Sequence, residues 1–312
     1  MGIYKDRSMD ALVRPPAVTA AGSAREYWEA HRVRAEGLAP IDAAAVGGVY
    51  ADRLGWAFVA GYGEALRVLD PGLPAGGMAA LCATEARGVH PRDLETAARR
   101  EGAEWVVDGV KVFATLADQA DVLLVVASAG SGEGGRNRLV VVRVPAKAPG
   151  VTLEASPREI PFAPEISHQV VRFSGVRVPE SAALPGDGYE DALKPFRSIE
   201  DAHVFAAGLS YLCGVAGRFD WPASFRERAV TPVMALRALA SSPSGLRTPE
   251  SHVALGGALA LGREVVEASE AFWDRAGAAE RERWRRDRPL LEVAGKARAA
   301  RLEAAWKRCA ER

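Results

Sequence analysis

The side chains able to do chemistry are few and scattered over 312 residues. Five histidines (His31, His90, His168, His203 and His252) stand far apart, and a lone imidazole more often fills a structural hydrogen-bonding role than a ligand role. Cys82, Cys213 and Cys309 are odd in number, widely spaced and without a C-x-x-C pair. They read as small buried hydrophobes of a reducing compartment. No HExxH, GxSxG or GxxxxGK[ST] occurs, and the Gly-rich stretch 130–135, within the loop 128–137, reads as a hairpin connection and not as the strand-to-helix turn of a dinucleotide site. Zinc-protease, α/β-hydrolase, dinucleotide-fold and P-loop chemistry therefore lack support, and no metal is expected. Two groups remain. The acidic pair Glu200-Asp201 follows the N-cap candidate Ser198, where negative charge suits the helix dipole, and His203 lies two residues further on. The loop 86–91 carries Arg87 and His90, which could meet a phosphate or a carbonyl. The basic run 281–288 interleaves its arginines with acids and reads as a solvated helix.

These groups need elements to hold them. Forty Lys and Arg balance forty Asp and Glu, so the chain has no global attraction for nucleic acid or for an acidic membrane. Apolar runs such as 122–127 are far shorter than the roughly 18 residues a membrane span requires. The N-terminal stretch has no apolar h-region, so it is no secretory signal. A cytoplasmic protein with neither nucleic-acid nor membrane partners is expected. Residues 1–24 read as a strap or arm, 25–36 as a short charged helix, and 42–69 as one helix capped by Asp42 whose glycines suit close packing. Seven short β-branched segments follow, at 78–84, 105–107, 110–114, 122–127, 139–144, 151–154 and 168–173. Helices return from Ser198, at 222–240, at 249–275 and from 278 to the end. The order is α, β, α. The expected fold class is α+β, with an N-terminal helical part (1–77), a central small β-barrel or sandwich (78–189) and a C-terminal helical bundle (190–312).

The β-region also carries a resemblance. Cys82-Ala83-Thr84-Glu85, then Gly109-Val110-Lys111-Val112-Phe113-Ala114-Thr115, then Ala120-Asp121, then the strand and turn over 170–189 fall in order and at matching spacing. They resemble the C-x-T-E, G-x-K-x-[WF]-x-[ST], A-D and V-x-F-x-x-V-x-V-P blocks of the acyl-CoA dehydrogenase family. The resemblance covers residues 81–217. It implies FAD as cofactor. Leu81, Ala83 and Thr84 would line the isoalloxazine, and Phe113 and Thr115 would cover its opposite edge. An apolar ring needs an apolar wall, and its polar edge needs a few fixed hydrogen-bonding groups. The implied reaction is α,β-desaturation of acyl-CoA or another acyl thioester, with hydride passing to flavin N5.

The departures from the family pattern shape the rest of the expectation. Where the family has P-G-x-G-S, this chain has Ala86-Arg87-Gly88-Val89-His90. Arg87 and His90 are thus the substrate-binding candidates, and a thioester carrier other than CoA comes into consideration. Residues 290–312 resemble a late helix of the family, and the Gly-Gly turn and acidic segment that usually supply the base are not found after it. A minority of members place the base on the first helix after the β-domain, which here points to Asp201 or Glu200. Desaturation needs such a carboxylate, its proton affinity raised by burial. The partner expected is an acyl thioester together with a second copy of the chain or a longer dehydrogenase. The alternative is a catalytically degenerate subunit or scaffold that binds flavin or thioester beside a full-length partner.

Overall fold

The structure is a computed structural model that describes residues 6–88, 90–242 and 244–311. The chain forms two compact units. A helical unit takes the residues up to Val68, Pro161–Pro164 and Arg197–Arg312, and a sheet unit takes Leu69–Ile160 and Glu165–Phe196.

The helical unit gathers both ends of the chain into one body, whereas the sequence reading separates them at 1–77 and 190–312. It contains α1 (Arg7–Val13), α2 (Ala24–Arg34), α3 (Pro40–Tyr50), α4 (Leu54–Leu69), α5 (Lys194–Arg218), α6 (Ala223–Ala240), α7 (Pro249–Ser269), α8 (Ala278–Asp287) and α9 (Gly295–Ala310). Glycines explain the union. A Cβ on Gly48 of α3 would lie 2.0 Å from the Ala207 carbonyl oxygen, and one on Gly61 of α4 would lie 2.7 Å from Val204 Cα. The backbones of α3 and α4 thus rest directly on α5. Trp221, Trp273 and Trp284 fill the interior further along, with Trp273 and Trp284 stacked at 4.8 Å.

Three boundaries differ from expectation. Residues 1–5 of the expected strap lie outside the described residues, and α1, capped by the Asp6 side chain, occupies much of the rest. The helix expected over 42–69 is two helices, broken where Ala51 turns extended and bridges Thr19. Its first helix starts at Pro40, so Asp42 is no cap; it accepts instead from Ser8 at 2.9 Å and pairs with Arg237 at 2.7 Å. The helix expected from Ser198 begins at Lys194, because the wide helical turn Gly188–Leu193, capped by Asp187, runs straight into it. Pro195 stands at this junction, directly after Lys194, whose N–H bonds back to the Tyr189 carbonyl. Ser198 is therefore internal and buried, with its hydroxyl 3.2 Å from His252 Nε2.

The sheet unit is one curled seven-stranded sheet in place of two packed layers: β1 (Ala79–Cys82), β2 (Ala97–Glu101), β3 (Glu104–Thr115), β4 (Val122–Ser131), β5 (Asn137–Pro145), β6 (Val151–Ala155) and β7 (His168–Pro179). One edge of β4 pairs antiparallel with β5, and the other pairs in parallel with β1 and, at Ser128, with β2. β3 lies between β2 and β7, and β6 pairs with the far side of β7. One buried face unites Ala80, Cys82, Val107, Leu123, Val125, Val142, Val171 and Phe173. Strand β2 escapes the sequence reading because Ala-Ala-Arg-Arg-Glu is polar and mostly exposed. Asp108-Gly109 reads as a turn between two strands, yet β3 runs through it as a bulge. Gly109 sits at φ 145° with Thr96 Cα 2.6 Å from where a Cβ would be, so only glycine fits there.

The packing predicts opposite effects for two helical glycines. Gly48→Ala overpacks the α3–α5 contact and should lose about 1–3 kcal/mol in urea unfolding. Gly257→Ala on α7 meets open space and should gain about 0.5–1 kcal/mol from helix propensity alone.

Candidate functional site

In the sheet unit, β1 sends Ala80 and Cys82 into the core and leaves Leu81 half-buried on the other face, as strand alternation requires. Burial pushes the Cys82 thiol up to about 12, so it is inert, as its type suggests. Past β1 the Thr84 carbonyl accepts from Val112 N–H at 2.9 Å, which draws the β1 exit onto β3. There β3 slips register against β7 between Lys111 and Ala114. A bulge of this kind bends a strand and re-aims its side chains. Phe113, within the slip, stacks on His168 of β7 at 4.0 Å and 24°, and the Arg158 guanidinium lies 5.4 Å from its ring centre. Thr115 is the cross-strand partner of His168. Leu116 then takes φ 58° and ends the strand, with its N–H held by the Ser167 carbonyl at 2.9 Å. The outcome is a half-buried wall in which Thr84 and Thr115 hydroxyls, neither engaged by a described residue, accompany an aromatic ring. His168 belongs to this wall and was missed, because a solitary histidine at a strand start gives no spacing signal.

Beneath the wall lies a buried ion pair. Lys111, fully buried, donates to Glu85 Oε1 at 2.7 Å and reaches the Ala83 carbonyl at 3.4 Å. Glu85 also accepts from Glu95 N–H at 2.7 Å and Thr96 N–H at 3.0 Å. Burial alone would raise the Glu85 carboxyl, but the hydrogen bonds from Lys111 and the loop backbone hold it below its ordinary value.

Among the candidates in the loop after Glu85, Arg87 spends its charge on exposed Glu95 at 3.5 Å and Asp93 at 3.9 Å. His90 is exposed, caps a short helical turn through Nδ1, and lines a 760 Å³ cleft shared with the β4–β5 hairpin. Both side chains approach Asp93, His90 at 4.0 Å, but only His90 lines the cleft.

In the helical unit, the adjacent acids of α5 have different surroundings, as a helix rotates consecutive residues by about 100°. Asp201 is buried and accepts from Arg298 Nε at 2.8 Å and Arg301 Nη2 at 2.5 Å, both on α9. Glu200 has no such partner. Its side chain keeps some solvent contact yet sits deep among protein atoms, and burial, with the charge of Asp201 beside it, pushes its carboxyl up to about 7. His203 donates through Nδ1 to the Ile199 carbonyl at 2.7 Å, and burial pushes it down to about 4, so it is neutral. Among the described residues no cluster of three or more His, Cys, Asp or Glu is arranged to hold a metal, and no helix is long and apolar enough to cross a membrane.

The buried pair gives a pH-dependent prediction. Glu85, held low when folded, contributes stability that is complete above the ordinary carboxylate range and lost as pH falls through its folded value. Lys111→Met strands the carboxylate and should cost about 3–5 kcal/mol at pH 7. In urea titrations that deficit should shrink towards pH 4, where the stranded carboxyl protonates.

The comparisons with known proteins follow these features. Residues 80–175 match the family model of the acyl-CoA dehydrogenase middle domain. The acyl-CoA dehydrogenase fadE12 of Mycobacterium bovis is 34% identical over 119 residues, covering 38% of this chain and 28% of that protein. The chain thus spans little more than a quarter of the length of this curated relative. Butyryl-CoA dehydrogenase from Megasphaera elsdenii superposes with a TM-score of 0.72 at 14% identity, over 98% of this chain and 99% of that one. A glutaryl-CoA dehydrogenase from Mycobacterium smegmatis, solved in complex with FADH2, superposes with a TM-score of 0.61 at 14% identity, over 97% and 95% of the two chains. The middle-domain match falls on the strands that build the wall, and the fold likeness extends over both units. Residues 80–175 thus match the middle domain of the acyl-CoA dehydrogenases, and the fold of the chain is that of the solved acyl-CoA dehydrogenases.

Proposed function

We propose that the chain is an FAD-dependent oxidoreductase that desaturates an acyl thioester between its α- and β-carbons. The observation that carries this reading is the wall of Thr84, Phe113 and Thr115, with Leu81 and Ala83 behind it. Its donor set fits a flavin: two half-buried hydroxyls with no internal partner for a polar ring edge, and one aromatic face held in place by a strand bulge. Bound FAD supplies a two-electron acceptor for the β-hydrogen.

The chain's own residues do the remaining work. Phe113 excludes water from one side of the cofactor, and the Thr84 and Thr115 hydroxyls orient it. Glu200 is the base for the α-proton. A carboxyl near 7 is half-ionised at neutral pH and binds a proton far more strongly than an ordinary carboxylate, as abstraction from a weakly acidic carbon requires. Asp201 is held by two guanidinium groups, which suits it to anchoring α9. We therefore assign the base to Glu200.

Anaerobic mixing of the flavin-loaded chain with an acyl thioester tests the reading. The flavin band should bleach, and the bleaching rate should rise with pH through about 7 as Glu200 loses its proton. Glu200→Gln should slow bleaching by at least about 100-fold, the range of a general base, while the urea midpoint stays within about 0.5 kcal/mol of wild type. Unchanged bleaching in Glu200→Gln would remove Glu200 from the role.

A further inference from the structure

The cleft beside the β4–β5 hairpin has a charge pattern that the desaturation chemistry does not use. His90 and Arg92 come to it from the loop after Glu85, and Arg136 and Arg138 from the hairpin. Asn137 binds the two segments together: its side-chain amide donates to the Pro91 and Leu94 carbonyls, each at 3.0 Å, and its oxygen accepts from the Ser128 hydroxyl. The loop end is fixed again by Glu85, which accepts from Glu95 and Thr96. The cleft is therefore a built feature of the sheet unit.

All three arginines are exposed, and among the described residues none has a carboxylate partner; Arg138 reaches the Ala129 carbonyl at 3.4 Å. The acids that line the cleft are already engaged. Asp187 caps the turn into α5 by accepting from Tyr189 and Glu190 N–H, both at 2.8 Å, and Glu190 pairs with Lys194 at 2.5 Å. Segments 90–92 and 132–138 hold three arginines against one acid, Glu133. Other exposed arginines of this unit are engaged, Arg99 with Asp108, Arg177 with Glu101 and Glu104, and Arg158 over the Phe113 ring. Three guanidiniums on one rim, with no carboxylate partner among the described residues, are an arrangement that attracts and orients an anionic surface.

We propose that this rim docks an acidic carrier domain that presents the acyl thioester on a phosphopantetheine arm. The inference rests on the thioester reading of the wall. Free CoA carries phosphates too, and it differs from a carrier domain in having no acidic protein surface for the three arginines to meet. The distance suits an arm. Thr84 and His90 are six positions apart, so their Cα atoms are at most about 22 Å apart. The rim arginines would hold the acidic surface and the phosphodiester while the thioester reached the wall.

The test uses the full chain and a fluorescently labelled holo-acyl carrier protein of a bacterial fatty-acid synthase as probe, read by anisotropy. Wild type should bind it, and binding should weaken steeply between 50 and 200 mM salt. Arg92→Ala/Arg136→Ala/Arg138→Ala should weaken carrier binding at least about tenfold while changing acyl-CoA half-saturation less than about twofold. Arg177→Ala, which removes an equally exposed but paired arginine, should leave both unchanged. Undiminished carrier binding in the triple variant overturns the proposal. So does an equal or larger loss for acyl-CoA, which would make the rim a nucleotide-phosphate site. Anisotropy needs no turnover. A chain that binds the carrier but is not reduced by any acyl thioester contradicts the desaturation reading and leaves the docking surface standing.

Discussion

The wall depends on one buried ion pair. Lys111 and Glu85 are 26 residues apart in sequence and 2.7 Å apart in space. The pair does three things at once. It fixes the strand exit that carries Ala83 and Thr84, it gathers the loop over 85–96 onto the sheet, and it anchors β3 at the residue before the register slip. A buried pair of this kind gains little over an apolar replacement, because taking both charges from water offsets their attraction. Removing one partner is different, since the other then stays buried and uncompensated. A pair with three further hydrogen-bonding neighbours specifies a geometry that an apolar contact would leave loose, and Phe113 stands two residues beyond it on β3.

The helical unit shows the same economy with carboxylates. Two adjacent acids on one helix receive opposite treatment because the helix turns them to different neighbours. Asp201 meets two guanidiniums and fastens α9 to α5. Glu200 meets burial and a like charge, which raise its proton affinity. The two are linked, for the charge of Asp201 is part of what pushes Glu200 up.

Much of this was legible in the residues themselves. The α–β–α order and most strands of the sheet unit follow from strand composition, whereas the expectation for Thr84, Phe113 and Thr115 comes from the resemblance alone. What stayed hidden depends on through-space partners. Asp42 and Ser198 carry the residue types of helix caps, but a proline-led start and a capped turn place the true helix ends elsewhere. Strand β2 is hidden because its charge serves the exposed edge, and β3 looks broken because Gly109 marks a bulge in a continuous strand. The different surroundings of Asp201 and Glu200 could not be read from sequence, since they turn on two arginines about a hundred residues away. His168 and the rim arginines give no local pattern at all.

The central claim is that the wall holds a flavin through Phe113 and the two threonine hydroxyls. Titrating the flavin-stripped chain with FAD, while following flavin fluorescence and the shape of the visible band, tests it directly. Wild type should take up FAD with a shifted, structured band. Phe113→Ala should bind at least about tenfold more weakly, as loss of an aromatic contact implies, and Thr84→Val/Thr115→Val should bind with an altered band. A chain that takes up no FAD, or one whose affinity and spectrum are the same in all three proteins, would contradict the account.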